Sequence, residues 1–241
     1  MARCFFSFCL LLSFASYASD LLELVEQARK ESLLLDMRDL EGAHDSCGIV
    51  ASTHMASFTK AFRENAPIEI NLRTAEKLHE KVPCEMKNSQ VLDSIRMTFA
   101  DLDLEPPVFG GAKVLRKSVL DKKVEGVDLD LAFDYEDLES LRANKALLYI
   151  VSSAYSSSGT KLFTHGIIAV KQEGRLLHVV DPDEAKTPVQ YVVSKLSLEI
   201  EGVTSSTLVL FPRSKSMLDR DRDLSVRFLL PIMLVPVVLE D

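Results

Sequence analysis

Cys47 lies in the stretch His44-Asp45-Ser46-Cys47-Gly48-Ile49-Val50-Ala51, where the pattern predicts the start of a helix. Unpaired N–H groups and the macrodipole at a helix N-terminus favour a thiolate, and a backbone N–H at the same place can hold an oxyanion. His165, early in the predicted strand Leu162–Lys171, is the candidate base, and Asp181, at the end of Arg175–Asp181, the candidate orienting carboxylate. Their geometry depends on the hairpin between them. A three-residue loop, Gln172-Glu173-Gly174 with Gly174 left-handed, sets Lys171 against Arg175 and His165 directly opposite Asp181, on one face. A two-residue Glu-Gly loop would pair His165 with Pro182 and turn Asp181 away, so one residue of register decides the constellation. His178 points to the other face whenever Asp181 faces His165 and is not chosen as the base. Nucleophile, base and carboxylate together are the parts of acyl transfer through a thioester.

A competing use exists for the same cysteine. The four cysteines are Cys4, Cys9, Cys47 and Cys84. Residues 1–18 read as a signal peptide: Arg3, an apolar run from Phe5 to Leu12, then Ser16 and Ala18 before a cut. Removal leaves Cys47 and Cys84, which an exported protein could join as a disulfide. The expected location is periplasmic or secreted. After cleavage the formal charge moves from −8 to −9, because the leader carries one arginine and no acid. Such an acidic chain with dispersed cations does not suit nucleic acid. No segment beyond the leader is long and apolar enough for a spanning helix, so no integral membrane segment is expected.

The elements that must hold these residues change character along the chain. Helices are predicted over Asp20–Arg38, from Ser46 or Cys47 with the stripe Cys47, Ala51, Met55, Phe58 and Phe62, over Thr74–Lys81 and Ser89–Ala100, and over Asp134–Lys145. Strands follow at Ala146–Ser153, Leu162–Lys171, Arg175–Asp181 and Thr207–Phe211. Helices first and strands afterwards predict an α+β domain over 19–213. The tail 214–241 carries the charge run Asp219–Asp223 and then an apolar stretch with Pro231 and Pro236, expected as an edge strand or a strap and available for a protein contact. The Asp-Leu-Asp-Leu segments at 101–104 and 128–131 lack the glycine and closing glutamate of a calcium loop. Neither His/Cys metal-ligand spacing nor a glycine-rich phosphate loop is found, so no metal or cofactor is expected.

Asp45-Ser46-Cys47-Gly48 opening a helix, Thr164-His165-Gly166 in a strand and Val179-Val180-Asp181-Pro182 after a hairpin resemble the papain-like cysteine peptidase superfamily, and within it the bacteriocin-leader (double-glycine) peptidase type. Leu198-Glu199-Ile200-Glu201-Gly202 before Thr207–Phe211 is similar to that family's closing segment. The resemblance covers about residues 40–60 and 145–212. It implies a papain-like fold with helices packed on a C-terminal antiparallel sheet, a Cys47-His165-Asp181 triad and a peptide or protein substrate. The family's oxyanion glutamine falls at Glu41 here, with His44 as a substitute donor. Two alternatives stand beside an exported peptidase or amidase. One is a transglutaminase-like acyl transferase; the other is an inactive secreted binding module with a Cys47–Cys84 disulfide.

Overall fold

The computed structural model describes residues 20–40, 47–81, 88–105, 113–114, 136–200, 203–213 and 226–239. The leader 1–18, Glu41, His44, Cys84 and the charge run 219–223 lie outside the described residues.

Five α-helices are described: α1 (Leu21–Lys30), α2 (Cys47–Glu64), α3 (Leu72–Lys81), α4 (Asn88–Asp101) and α5 (Glu136–Arg142). Asp20 caps α1, accepting the Leu22 N–H at 2.9 Å. The helix ends well before Arg38, because Ser32 takes φ 57° and breaks the run; a 3₁₀ turn follows at Met37–Asp39. Helix α2 begins at Cys47 as expected and is buried on almost every side through Thr59. Its hydroxyls survive there by turning back on the helix: Ser52 Oγ donates to Gly48 O at 2.7 Å, Thr53 to Ile49 O at 3.0 Å and Thr59 to Met55 O at 2.8 Å.

The strands are β1 (Lys113–Val114), β2 (Ala146–Tyr155), β3 (Lys161–Glu173), β4 (Leu176–Val180), β5 (Val189–Ile200), β6 (Val203–Pro212) and β7 (Phe228–Val238). Their order is β1-β7-β2-β3-β4-β5-β6, every pairing is antiparallel, and β6 returns to β7 through Leu210 and Leu229. Six strands therefore close a barrel, with β1 added to β7. The expected papain-like arrangement is corrected by this closure: the strands form a ring with few helices around it, not a sheet with helices packed against it. The residues responsible are those of β5 and β7. Val189–Ile200 is a full strand between β4 and β6. The apolar tail stretch, expected as an edge strand or strap, pairs along its length with β2. Among the described residues, the other edge of β7 pairs at Leu229 with β6 and at Met233 and Leu234 with β1, so at neither Pro231 nor Pro236 does a missing N–H break a ladder on that edge.

Period-two alternation divides the core. Leu148, Ile150, Ile167, Ala169, Val179 and Leu234 gather on one face with Leu138 and Leu141 of α5. Leu147, Tyr149, Val151, Ile168, Val170 and Val180 gather on the other with Ala51, Met55 and Phe58 of α2. The first face fills the barrel and α5 stoppers it; the second receives the helices.

Candidate functional site

The site begins with the β3–β4 hairpin. Gly174, at φ 58°, and Arg175 make a two-residue turn, and Glu173 pairs with Leu176. The three-residue loop expected from the sequence is thus corrected. A straight ladder from this turn would set Asp181 opposite Ile168, on the face away from His165. The register shifts by one residue between Ala169 and Lys171, where Val170 is extra. Ala169 then pairs with Val179 and Ile168 with Val180, which returns Asp181 to the face of His165. The two are diagonal neighbours rather than directly opposed, within reach of an imidazole. His165 Nε2 lies 2.8 Å from Asp181 Oδ1, and both side chains are buried.

Cys47 joins them from the start of α2. Its thiol is free and half-buried, and it stands close enough to the His165 side chain to favour the protonated ring. With Nε2 engaged by Asp181, Nδ1 is the ring nitrogen left for sulfur. Burial alone would lower the basicity of His165, but the charge and hydrogen bond of Asp181, with Cys47 and Asp183 adding to them, hold its pKa well above the ordinary histidine range. The imidazole is thus positioned between a thiol and a carboxylate, with its protonated form favoured by the carboxylate.

Asp181 is fixed from several sides. Its Oδ1 also accepts the Asp183 N–H at 3.0 Å, its C=O accepts the Glu184 N–H at 3.0 Å, and Tyr191 Oη donates to Oδ2 at 3.4 Å. Arg29 of α1, 8% exposed, donates from Nε to Ala185 O at 3.0 Å and from Nη2 to Val179 O at 2.8 Å. One guanidinium thereby ties the strand before Asp181 to the loop after it. No sequence motif marks Arg29; its signal was only a cation on the buried face of an amphipathic helix.

Two further groups escaped the sequence reading. Tyr149 is 1% exposed, and its hydroxyl lies against Gly166, the residue after His165. Burial, and then the charge of Cys47, push its phenol pKa far above the usual value, so it remains a donor. Ser152 sits directly opposite His165 on β2, next to a register shift between β2 and β7. Its buried Oγ has no partner among the described residues. His178 pairs with Lys171 and lies 3.2 Å from Glu173, away from the site.

His165, Asp181 and Asp183 also bring three possible metal-ligand atoms within 4.8 Å of one another. One imidazole and two carboxylates suit a divalent cation of intermediate hardness, though Asp181 Oδ1 already accepts two hydrogen bonds here. Among the described residues no helix is long and apolar enough to cross a membrane. No family model, curated protein or solved structure matches this chain.

Proposed function

We infer that the chain is a thiol hydrolase, a cysteine peptidase or amidase, with Cys47 as nucleophile, His165 as acid and base, and Asp181 as the group that orients and charges the imidazole. The observation that carries this reading is the buried His165–Asp181 pair at 2.8 Å, with the Cys47 thiol at the start of α2 beside the same imidazole. An imidazolium beside a thiol favours the thiolate. Attack by sulfur on an amide carbonyl forms a C–S bond and an oxyanion. His165 then gives its proton to the leaving amine, the C–N bond breaks, and water releases the acid from the thioester with His165 taking the water's proton. The start of α2 and the Tyr149 phenol supply donors for the oxyanion. Such constellations are recognised by geometry and role and recur on unrelated scaffolds, so the reading does not require a papain-like fold.

The test is alkylation of the full chain with iodoacetamide at pH 6, mapped by mass spectrometry. Selective labelling of Cys47, slowed about tenfold or more in His165→Ala, is the expected result. Labelling indifferent to His165, or a Cys47–Cys84 disulfide in the isolated protein, would remove the nucleophile from the reading. The same labelling repeated with a chelator separates a metal use of His165, Asp181 and Asp183, which chelation would alter, from the triad, which it would not.

A further inference from the structure

A cavity of about 250 Å³ opens at the end of the barrel that carries the β3–β4 turn. It is lined by Leu138 and Arg142 of α5, Gln172 and Arg175 at the turn, and Val193 and Ser194 of β5. Gln172 lies seven positions along β3 from His165, roughly 20 Å, so this cavity is distinct from the site around Cys47.

Its polar groups are arranged but not satisfied by one another. Gln172 is 4% exposed, and its Nε2 donates to Gly174 O at 2.8 Å. That bond fixes the amide, because the reversed orientation would set oxygen against oxygen. Gln172 Oε1 is left buried with no partner among the described residues, an arrangement that costs about 1–3 kcal/mol until a donor arrives. Arg175 is held in place by neutral oxygens: Nε donates to Val193 O at 3.2 Å and Nη2 to Ser194 Oγ at 3.0 Å. Ser194 therefore keeps its own proton to give. Arg142, exposed at the end of α5, has no ion pair among the described residues. Two guanidinium groups with no carboxylate partner among the described residues thus face one cavity, in a chain of formal net charge −8.

A ligand that completes this set must bring an anion for the two arginines and Ser194, an N–H for Gln172, and a small apolar group for Leu138 and Val193. We propose that this cavity binds the C-terminal residue of a peptide. Its carboxylate sits between Arg142 and Arg175, its amide N–H donates to Gln172 Oε1, and its side chain lies on Leu138 and Val193. The volume admits one such residue and not a folded partner.

The proposal is tested by titrating the ¹⁵N-labelled full chain with N-acetyl-L-valine and following backbone amide shifts. Saturable shifts are expected at Gly174, Arg175 and Ser194, with none at His165 or Gly166. N-acetyl-L-valinamide, which lacks the charge, and 2-acetoxy-3-methylbutanoate, which lacks the N–H, should each bind about tenfold more weakly. Arg142→Gln, a change on an exposed position, should weaken the acid by a similar factor and leave the amide unaffected. Equal binding of acid and amide, or of the amide-bearing and ester-bearing acids, would overturn the assignment. So would inorganic phosphate competing as well as N-acetyl-L-valine, which would mark a general anion site, or the absence of saturable shifts. None of these readouts depends on the reactivity of Cys47.

Discussion

A Cβ on Gly166 would stand 2.4 Å from the Tyr149 hydroxyl and 3.0 Å from its ring. No side chain occupies such a space without displacing the phenol or the strand. Gly166→Ala is therefore expected to cost about 1–3 kcal/mol in a urea melt and, because the displaced strand carries His165, to slow alkylation of Cys47. Tyr149→Phe removes only the hydroxyl. With a donor lost from the oxyanion and the thiol unchanged, acylation by p-nitrophenyl acetate should fall about tenfold or more while the iodoacetamide rate holds; parallel loss of both would assign Tyr149 to packing alone. A third residue carries a pH dependence of its own. His54 is fully buried, stacked on Phe58, and its Nε2 accepts the Leu35 N–H at 3.1 Å. Burial, then the charge of Arg29, lower its pKa from 6.5 to about 3. Between those values the unfolded chain takes up a proton that the folded chain refuses. His54 thus leaves stability untouched above pH 6.5 and removes it as pH falls toward 3, at about 1.4 kcal/mol per unit. Urea midpoints at pH 7 and pH 5 should differ less in His54→Gln than in the parent; equal differences would show that His54 is not the group responsible.

Among the elements, the β3–β4 hairpin determines whether His165 and Asp181 meet. Val170 is the extra residue of the bulge, so deleting it would join the Lys171–His178 pair directly to Ala169–Val179 and leave Asp181 on the face of His165. The expected outcome is a chain that folds and still alkylates Cys47 faster than the His165→Ala variant, read by mass spectrometry beside a far-UV spectrum; a rate as slow as that of His165→Ala would show that the bulge itself positions the pair. Arg29→Leu acts on the same carboxylate from α1. It leaves Val179 O and Ala185 O without their donor, and a loss on the order of 2–4 kcal/mol is expected. This hairpin also shows what a sequence can and cannot specify. That Cys47 opens a helix, that His165 lies on a strand and Asp181 at the end of its neighbour, and that they share a face were all legible from local pattern, glycine placement and spacing. The route to the shared face was not: a tighter turn and a compensating bulge give the same facing as the longer loop expected, and periodicity cannot tell them apart. Arg29 and Tyr149 were invisible for a related reason, since each acts through residues more than a dozen positions away.

At the scale of the whole molecule, the barrel was not legible because closure is a pairing between distant segments. Nothing local in Phe228–Val238 states that it lies beside Ala146–Tyr155, and two prolines argue against a strand paired along its length. The burial there is nevertheless complete enough to test. Leu234, 1% exposed, packs with Leu148 and Ile150, and Leu234→Ala is expected to lower stability by about 2–5 kcal/mol. A near-neutral result in a denaturant titration would argue against closure by β7. The same pairing bears on how the chain is made. Cys47, His165 and Asp181 all emerge from the ribosome before β7 does, yet β2, the strand beside the one that carries His165, has an unpaired edge until β7 docks on it. Contacts between segments so far apart in sequence form late. Cys47 is therefore synthesised early, but the barrel that holds His165 and Asp181 closes only when translation has passed residue 238, so on the proposed reading a nascent chain carries the parts of the site before the scaffold that joins them.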